Sequence, residues 1–273
     1  MKNIIFIPYI KRETNFTEAS VGHANRHQGY EYGINSWKAW AEKNGHEVYV
    51  MSDLLCPESQ MLITWQRWQV LNILEHNDIE YNQVLVVDAD SMVHPDCPNF
   101  FEMTDNKFTS VLTDGDFEWV NRAINGYSKM FFDKEFCIPS FEFFMTGFVI
   151  INKKHKPFLD IVKEFYLNNI NKINDIRTNK RYQNLPLPST GQTIINFLLV
   201  KHNIESTFLP ERYNMTDLYR KNLLHMPGQS WWPDELTFLD AAWIYHFSAI
   251  PGKGQQPRHV DYWMERTYKQ LYG

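Results

Sequence analysis

The feature that most constrains the fold is an uninterrupted apolar run, Val84 to Val87, that leads directly into Asp88-Ala89-Asp90. A run without alternating polar residues predicts a strand that is buried on both faces, as in parallel α/β sheets. Ligands of such sheets bind beyond the carboxyl ends of the strands. The two carboxylates leave the strand at that end and can share a Mg²⁺ or Mn²⁺ ion that also binds phosphate oxygens. Asp-x-Asp also occurs in helix caps and turns, so the rest of the sequence must decide between these interpretations.

The segments before this strand have the order expected of a mononucleotide-binding unit. Apolar runs at Asn3–Ile10 and His46–Met51 predict strands, and the apolar spacing in Tyr30–Lys43 and Met61–His76 predicts helices. With the Val84 strand they form a β-α-β-α-β pattern. The pattern lacks a G-x-G-x-x-G loop, so phosphates would need a metal ion and side chains to balance their charge. We expect a single α/β domain with a Rossmann-like, mixed but mostly parallel sheet that is flanked by helices.

Three later segments complete the prediction. Phe143–Asn152 reads as another buried strand, with Gly147 at a position where a side chain would obstruct close approach. Asn121–Phe136 is mixed and aromatic, and we interpret it as a subdomain or lid. Asn169–Asn184 is rich in Asn and Lys and has few apolar residues, so we expect an exposed, mobile stretch.

Composition excludes several functional classes. The net charge of −5 gives no electrostatic basis for binding nucleic acid. No stretch approaches the roughly 18 apolar residues of a membrane span, and the apolar start is too short for a signal peptide. The widely spaced cysteines suit a reducing compartment rather than a disulfide framework or a zinc site. We therefore expect a cytoplasmic protein. These cysteines are Cys56, Cys97 and Cys137.

Two residues outside the Asp-Ala-Asp segment have open interpretations. Tyr9 follows the first predicted strand and either stacks on a nucleotide base or is a strand-end aromatic. Arg67 lies in the helix before the Val84 strand and either contacts phosphate or sugar or is a surface arginine.

With these residues identified, the chain resembles glycosyltransferases of the GT-A fold and is most similar to the family of glycogenin and the lipopolysaccharide galactosyltransferases. Five segments resemble that family's metal motif, donor-sugar strand, glutamine helix start, Leu-Pro…Tyr-Asn turn and late His-Phe motif, in that order. The resemblance covers most of the chain from residue 1 to about 260. It implies a nucleotide-binding half over 1–105 and a donor-sugar and acceptor half over 106–273. In order, the segments are Asp88–Asp90, Phe144–Asn152, Gly191–Asn196, Leu209–Asn214 and His246–Lys253.

The resemblance implies a role for each matching residue. Asp88, Asp90 and His246 would bind Mn²⁺ or Mg²⁺, and an imidazole ligand shifts the preference toward Mn²⁺. Gln192 would lie by the anomeric carbon of the donor and, with Asp90, take part in catalysis. The residues implied to bind the nucleotide-sugar are Tyr9, Arg67, Asp88, Gly147 and Lys253.

The sequence also departs from the family's pattern. The family's Asp before the glutamine, which contacts the donor sugar, is replaced by Gly191. The first glycine after the late histidine is replaced by Ala249, and Lys253 is displaced by one position, which leaves Arg258 as a competitor for the diphosphate role. Thr146 stands where the family has Ser. These departures bear on which sugar is transferred and on the catalytic detail.

The implied function is metal-dependent transfer of a hexose from a nucleoside-diphosphate sugar, with uracil as the base, to a carbohydrate, glycolipid or protein acceptor. The family's mechanism retains the anomeric configuration and needs no side-chain nucleophile. Inversion would instead require a carboxylate base, for which three residues are candidates. They are Asp234, Glu235 and Asp240.

Two other functions remain open, as do the acceptor site and the oligomeric state. A haloacid-dehalogenase-like phosphohydrolase would use Asp88 as its nucleophile, and a non-catalytic nucleotide-binding module would be consistent with Gly191. Three tryptophans are candidates for a sugar-stacking acceptor wall, with core packing or a subunit interface as the alternative. They are Trp231, Trp232 and Trp263.

Overall fold

The computed structural model describes residues 1–10, 27–113, 117–134, 136–178, 190–216, 218, 236–248 and 260–273. Within these ranges six strands form one sheet in the order β2-β1-β3-β6-β5-β7, and β4 pairs with β8 in a second, smaller sheet. The strands are β1 (Lys2–Pro8), β2 (Glu47–Met51), β3 (Tyr81–Val87), β4 (Ser91–Val93), β5 (Phe108–Leu112), β6 (Phe144–Asn152), β7 (Ser206–Leu209) and β8 (Ile244–His246).

The large sheet is mixed but mostly parallel, as the sequence predicts. Strands β1, β2 and β3 are parallel to one another, as are β5 and β7. Strand β6 runs antiparallel to both of its neighbours, β3 and β5. The amino-terminal end of β6 therefore lies at the same edge of the sheet as the carboxyl ends of β3 and β5, which is the edge where ligands of α/β sheets bind.

Helices flank this sheet and close the small one. Between Ile63 and His76 a 3₁₀ turn, Arg67–Gln69, separates two short helices, where the sequence predicts one continuous helix. No described helix is long and apolar enough to cross a bilayer. The helices are α1 (His27–Asn44), α2 (Ile63–Gln66), α3 (Val70–His76), α4 (Phe117–Phe131), α5 (Lys156–Thr178), α6 (Thr190–Lys201) and α7 (Val260–Tyr272).

The central strand β3 is buried on both faces, which confirms the prediction from its unbroken apolar run. Val84 and Val86 belong to one core cluster, and Leu85 and Val87 belong to the cluster on the opposite face. All four are fully buried. A third cluster lies under the small sheet and joins β4 and β8 to α7, where it includes Trp263.

Two sequence-based expectations were wrong. Asn121–Phe136 was expected to be a subdomain or lid, but most of it belongs to α4, which buries Ile124 and Tyr127 in the main core because its apolar residues recur at helical spacing. Asn169–Asn184 was expected to be an exposed, mobile stretch, but residues 169–178 continue α5 and bury Ile173, and residues 179–184 lie outside the described residues.

Candidate metal centre

Asp88, Asp90 and His246 converge at the carboxyl end of β3. One ligand atom from each residue can be chosen so that all three lie within 4.8 Å of one another. The Nε2 atom of His246 is 3.2 Å from Asp90 Oδ1 and 3.7 Å from Asp88 Oδ2. Two carboxylates and an imidazole form a donor set that suits Mn²⁺ and related divalent cations. The residues that the sequence implies as metal ligands therefore lie together.

A tight turn at the end of β3 presents the two carboxylates. The Asp88 backbone N–H donates to Gly147 O at 3.0 Å, which continues the pairing of β3 with β6. The Asp88 carbonyl accepts from both the backbone N–H of Ser91, at 3.1 Å, and its hydroxyl, at 2.6 Å. The indole N–H of Trp37 donates to the same hydroxyl at 3.0 Å. These bonds fix the turn between β3 and β4 and thus the direction of both aspartates.

The small sheet brings His246 to this turn from a distant part of the sequence. Strands β4 and β8 are antiparallel, and Ser91 pairs with His246. The backbone N–H of Phe247 donates to Asp90 O at 2.8 Å, and that of His246 donates to Met215 O at 2.8 Å. Backbone hydrogen bonds thus join the turn directly to β8 and the residue that follows it. They set the distance between Asp90 and His246.

Two glycines make the close packing at this turn possible. A Cβ atom at Gly147 would lie 2.5 Å from His246 Cε1 and 2.8 Å from Asp88 Oδ2. A Cβ atom at Gly33, in α1, would lie 2.5 Å from Ser91 O and 2.6 Å from Ala89 O. Helix α1 therefore packs directly against the backbone on both sides of Asp90, while Gly147 leaves the ligand side open.

Arg67 pairs with Asp88 and reaches the neighbouring strand as well. Its Nη1 atom donates to Asp88 Oδ1 and its Nη2 atom donates to the Thr146 carbonyl. The side chain is largely buried, with its guanidinium carbon 5.4 Å from the centre of the Trp68 ring. The surface interpretation of Arg67 was therefore wrong. Contact with a phosphate or sugar stays a prediction, and what the structure adds is a link from Arg67 to Asp88.

The two carboxylates favour the protonated form of His246. Burial by itself lowers the pKa of His246, but the neighbouring carboxylate of Asp90, and then that of Asp88, raise it above its ordinary value. Its Nδ1 atom is buried and has no hydrogen-bond partner among the described residues. The ring is therefore oriented by its packing against Gly147 and by its two carboxylate partners, and a cation at the carboxylates would displace the proton on Nε2.

Gln192 lies beside the part of β6 that adjoins the metal centre. Its Oε1 atom is 3.4 Å from the backbone N of Thr146 and 3.5 Å from the Thr146 hydroxyl. One turn further along α6, the Asn196 amide accepts from the Phe144 N–H at 2.8 Å and donates to the Phe144 carbonyl at 3.0 Å. Helix α6 is thereby held at the end of β6, and Gln192 contacts Thr146, the residue next to Gly147.

Tyr9 is at the carboxyl end of β1, but it packs inside the protein. It is only 6% exposed, and its ring meets that of Tyr30 edge-on at 5.8 Å between centroids. Burial, together with the charge of Glu31 and a hydrogen bond to it, raises the pKa of Tyr9 to about 12. Base stacking by Tyr9 stays a prediction, and the described contacts are those of a core aromatic.

The other candidates from the sequence have different outcomes. Trp263 is 3% exposed in the third core cluster, so its assignment to an acceptor wall was wrong. Asp240 is exposed and lies near His94. His94 follows the carboxyl end of β4, whereas the metal-binding aspartates precede its amino-terminal end. The remaining candidates lie outside the described residues. They are Trp231, Trp232, Asp234, Glu235, Ala249, Lys253 and Arg258.

Sequence reasoning assigned no individual role to three residues that position the centre, namely Gly33, Ser91 and Asn196. Gly33 had a detectable signal, because an isolated glycine inside a predicted helix is unfavourable unless close packing requires it. Ser91 directly follows the Asp-Ala-Asp segment, where a hydroxyl can cap the turn. Asn196 ends the Gly191–Asn196 segment that resembles the family, but its contact with Phe144 depends on how α6 packs against β6, which the sequence does not specify.

Sequence comparison provides no relative, whereas structural comparison does. No family model matches this chain, and no curated protein matches its sequence. The chain is similar to the galactosyltransferase LgtC, solved in complex with donor and acceptor sugar analogs, with a TM-score of 0.50 and 12% identity over 98% of this chain and 94% of that one. A glycosyltransferase involved in glycosylation of the major capsid of PBCV-1 gives a TM-score of 0.48 and 12% identity over 97% and 99% of the two chains.

The structural match to LgtC covers nearly the whole length of both chains, so the similarity extends to the complete fold rather than to a shared fragment. At this level of identity it establishes the fold and leaves the activity to be argued from the site. The mixed six-stranded sheet, with its antiparallel β6 beside β3, is consistent with that neighbour. The chain has the GT-A fold of glycosyltransferases.

Proposed function

We propose that this protein is a metal-dependent glycosyltransferase that moves a hexose from a nucleoside-diphosphate sugar to an acceptor hydroxyl. The observation that supports this most directly is the convergence of Asp88, Asp90 and His246 at the ligand-binding edge of a GT-A sheet. Gly147 supports it further, because the space beside these three residues is kept free of a side chain. The donor is proposed to be a UDP-sugar, and the protein is proposed to act in the cytoplasm.

The residues at the centre fit a divalent cation. One ligand atom from each of the three residues lies around a common position, and Arg67 pairs with the other oxygen of Asp88. Asp88, Asp90 and His246 would hold the ion, and Mn²⁺ is the proposed occupant. When bound there, a divalent cation neutralises the negative charge that develops on a departing diphosphate.

The chain's own residues would orient the donor. Arg67 keeps one oxygen of Asp88 turned away from His246, so the other oxygen faces the triad. The backbone of β6 at Thr146 and Gly147 would line the sugar, with the Gln192 amide next to it. A neutral amide can accept a hydrogen bond from a sugar hydroxyl without competing as a base. Lys253 or Arg258 is proposed to bind the diphosphate.

The reaction is proposed to retain the anomeric configuration. The bond between the anomeric carbon and the diphosphate oxygen breaks, and the acceptor oxygen bonds to that carbon from the same face. The acceptor proton passes to the departing diphosphate, so no side-chain base is needed. Of the three carboxylates considered for an inverting reaction, only Asp240 is among the described residues. It lies near His94, at the end of β4 away from the metal centre, which makes it a poor base. Gln192 and Asp90 are the proposed catalytic residues.

The direct test is release of nucleoside diphosphate from a panel of UDP- and GDP-sugars, with Mn²⁺, with Mg²⁺ and with a chelator. We expect metal-dependent release from one donor and its loss in Asp90→Asn and His246→Ala. Matched controls are Asp96→Asn and His76→Ala, which make the same chemical changes at exposed sites. Metal-dependent UDP binding without turnover in the presence of acceptor sugars would indicate a nucleotide-binding module. Turnover of aryl phosphates that requires Asp88 would indicate a phosphohydrolase.

A further inference from the structure

Near Gln192 lies a buried amide that the chemistry above does not use, that of Asn196. The residue is 1% exposed. Its Oδ1 atom accepts from the Phe144 N–H at 2.8 Å, and its Nδ2 group donates to the Phe144 carbonyl and to the Gln192 carbonyl, both at 3.0 Å. The amide oxygen and both amide hydrogens are therefore used, and every partner is a backbone group. A buried amide bound in this way fixes the position of the segments that it joins.

The strand segment that Asn196 holds is the part of β6 that extends beyond β3. The pairing of β6 with β3 ends at Phe148, and one further bond joins the Asp88 N–H to Gly147 O. Residues 144–146 come before this point in the chain, so they continue past the end of β3. They lead directly into Gly147 at the metal centre. Their position therefore depends on β5 and on the side chains that contact their backbone.

Gln192 reaches the same segment, but only by long contacts. Its Oε1 atom lies 3.4 Å from the Thr146 nitrogen and 3.5 Å from the Thr146 hydroxyl, and its Nε2 atom lies 3.8 Å from Met145 Sδ. Well-formed N–H···O hydrogen bonds measure about 2.9–3.0 Å, so these contacts are weak. The proposed catalytic amide is therefore placed mainly by the backbone that carries it.

The spacing of the two amides matches the spacing of the strand. Gln192 and Asn196 are four residues apart in α6, and the residues that they meet, Thr146 and Phe144, are two apart in β6. Four residues of helix rise by about 6.0 Å and two residues of strand by about 6.6 Å. The short bonds of Asn196 thus fix the register in which Gln192 meets the strand. A slide of the helix by one residue would move Gln192 by about 1.5 Å and break contacts that are already long.

Apolar packing alone does not set this register. Ile194, Ile195 and Phe197 of α6 are buried in the main core and hold the helix against the sheet. Burial of apolar surface is not directional, so it permits small slides and rotations that a set of three hydrogen bonds does not. Reacting groups that are misplaced by about 1 Å can lose roughly a hundredfold in rate. A shift of that size at Gln192 would affect turnover and leave the core intact.

We propose that Asn196 is a positioning residue for the transfer reaction, which holds Gln192 at the donor-sugar strand and has no part in metal binding. The inference rests on the proposed transferase function and adds a residue to that same site. The metal ligands are held by other bonds, namely those of Ser91 to the Asp88 carbonyl and those of β4 to β8. Loss of the Asn196 amide should therefore lower kcat and leave the affinity for Mn²⁺ unchanged.

The test uses two variants of Asn196 and the same two variants of Asn152. Asn196→Asp keeps an acceptor for the Phe144 N–H but loses both donors, and Asn196→Ser places no carboxylate in the core. Asn152 is the matched control, because it is also a buried amide bound to backbone groups, at the other end of β6. With Mn²⁺ saturating, we expect kcat for donor hydrolysis and for transfer to fall about ten- to a hundredfold in both Asn196 variants and to stay near the wild-type value in both Asn152 variants. Thermal unfolding shows which variants are folded, and calorimetry gives the Mn²⁺ affinity.

A double-mutant cycle with Gln192→Ala separates the positioning of Gln192 from a general loss of structure. If Asn196 acts through Gln192, Asn196→Ser should cost little further activity in the Gln192→Ala protein, whereas independent effects would multiply. Effects that multiply overturn the inference, as does an unchanged kcat in a folded Asn196 variant or a parallel loss of Mn²⁺ affinity. Absent turnover by the wild-type protein with every donor and acceptor counts against the proposed function and this inference together. Wild-type turnover that Asn196→Ser leaves intact counts only against the role of Asn196.

Discussion

Gly147 lies so close to His246 that a methyl group at position 147 would come within 2.5 Å of the His246 Cε1 atom. The same methyl group would lie 2.8 Å from Asp88 Oδ2. Real Cβ atoms do not make such contacts, so two of the three proposed metal ligands depend on the absence of a side chain at one position. This relationship gives the glycine a role that is distinct from backbone flexibility.

Gly147→Ala should weaken metal binding because His246 or Asp88 must move to make room. We expect the Mn²⁺ dissociation constant to rise by roughly ten- to a hundredfold, the range found when the supports of metal ligands are altered. Titration with Mn²⁺ by calorimetry measures this directly. Gly191→Ala is the control for folding, since a Cβ atom there meets nothing within 4 Å in the described part of the chain. Unchanged Mn²⁺ affinity in Gly147→Ala would show that the cation binds elsewhere.

Arg67→Lys should impair the centre although it keeps the positive charge. A lysine ammonium cannot reproduce the planar fork that joins Asp88 to the Thr146 carbonyl. We expect weaker Mn²⁺ binding by about tenfold, as for other residues that hold a ligand in place. Arg122→Lys is the matched control, because Arg122 makes an exposed pair with Glu118. If only the donor KM changed and metal affinity did not, Arg67 would act on the donor rather than through Asp88.

The local patterns around this centre were largely predictable, and the long-range packing was not. The strand from Val84 to Val87 and its carboxylates are visible in sequence because burial on both faces leaves an unbroken apolar run. The pairing of Arg67 with Asp88 depends on how a 3₁₀ turn sits over β3, which no periodicity specifies. The contact between Gly33 and the backbone beside Asp90 depends likewise on the approach of α1.

The aromatic residues likewise show that long-range packing could not be predicted from the sequence. Composition drew attention to tryptophans as an acceptor wall, yet Trp263 is buried under the small sheet. Phe117 and Phe141, which are exposed beside β6, are indistinguishable in sequence from the many phenylalanines of the core. Exposure is a property of tertiary packing, so the exposure of these two residues could be found only in the structure.

Metal affinity should depend on pH through His246. In the metal-free protein the pKa of His246 is raised, so at a pH below that value the ring carries a proton that a cation must displace. We expect the Mn²⁺ association constant to fall as the pH is lowered through the raised pKa, approaching tenfold per pH unit, and to level off above it. Calorimetry in buffers of different ionisation enthalpy would count the released proton. His246→Gln should abolish that proton release, and a wild-type affinity that is independent of pH would contradict the assignment.

His155 should make the fold sensitive to acid. Burial lowers the pKa of His155 to about 4, and its Nδ1 atom accepts from the Asn152 N–H at 3.0 Å. The unfolded chain protonates His155 near pH 6.5, whereas the folded protein does so only near pH 4. The free energy of unfolding is therefore highest above pH 6.5 and falls as the pH is lowered toward 4. The difference is worth about 3 kcal/mol of unfolding free energy.

Denaturant unfolding at a series of pH values measures this effect. The free energy of unfolding of His155→Gln should vary less between pH 6.5 and 4 than that of the wild-type protein. His76→Gln, which removes an exposed histidine, should follow the wild-type curve. Parallel curves for His155→Gln and the wild-type protein would place the acid sensitivity in other groups.

Gly191→Asp should be tolerated and should change the preference among donor sugars. Among the described residues none lies within 4 Å of a Cβ atom at position 191, and the residue precedes Gln192 at the start of α6, so the new carboxylate needs no repacking of the described core. A charged hydrogen bond to a sugar hydroxyl is worth about 1.5–3 kcal/mol, which corresponds to a change in kcat/KM ratios of roughly ten- to a hundredfold. The measurement is donor hydrolysis over the panel of UDP-sugars. Gly191→Asn separates the charge from the size of the side chain, and unchanged ratios in both variants would show that position 191 does not face the donor sugar.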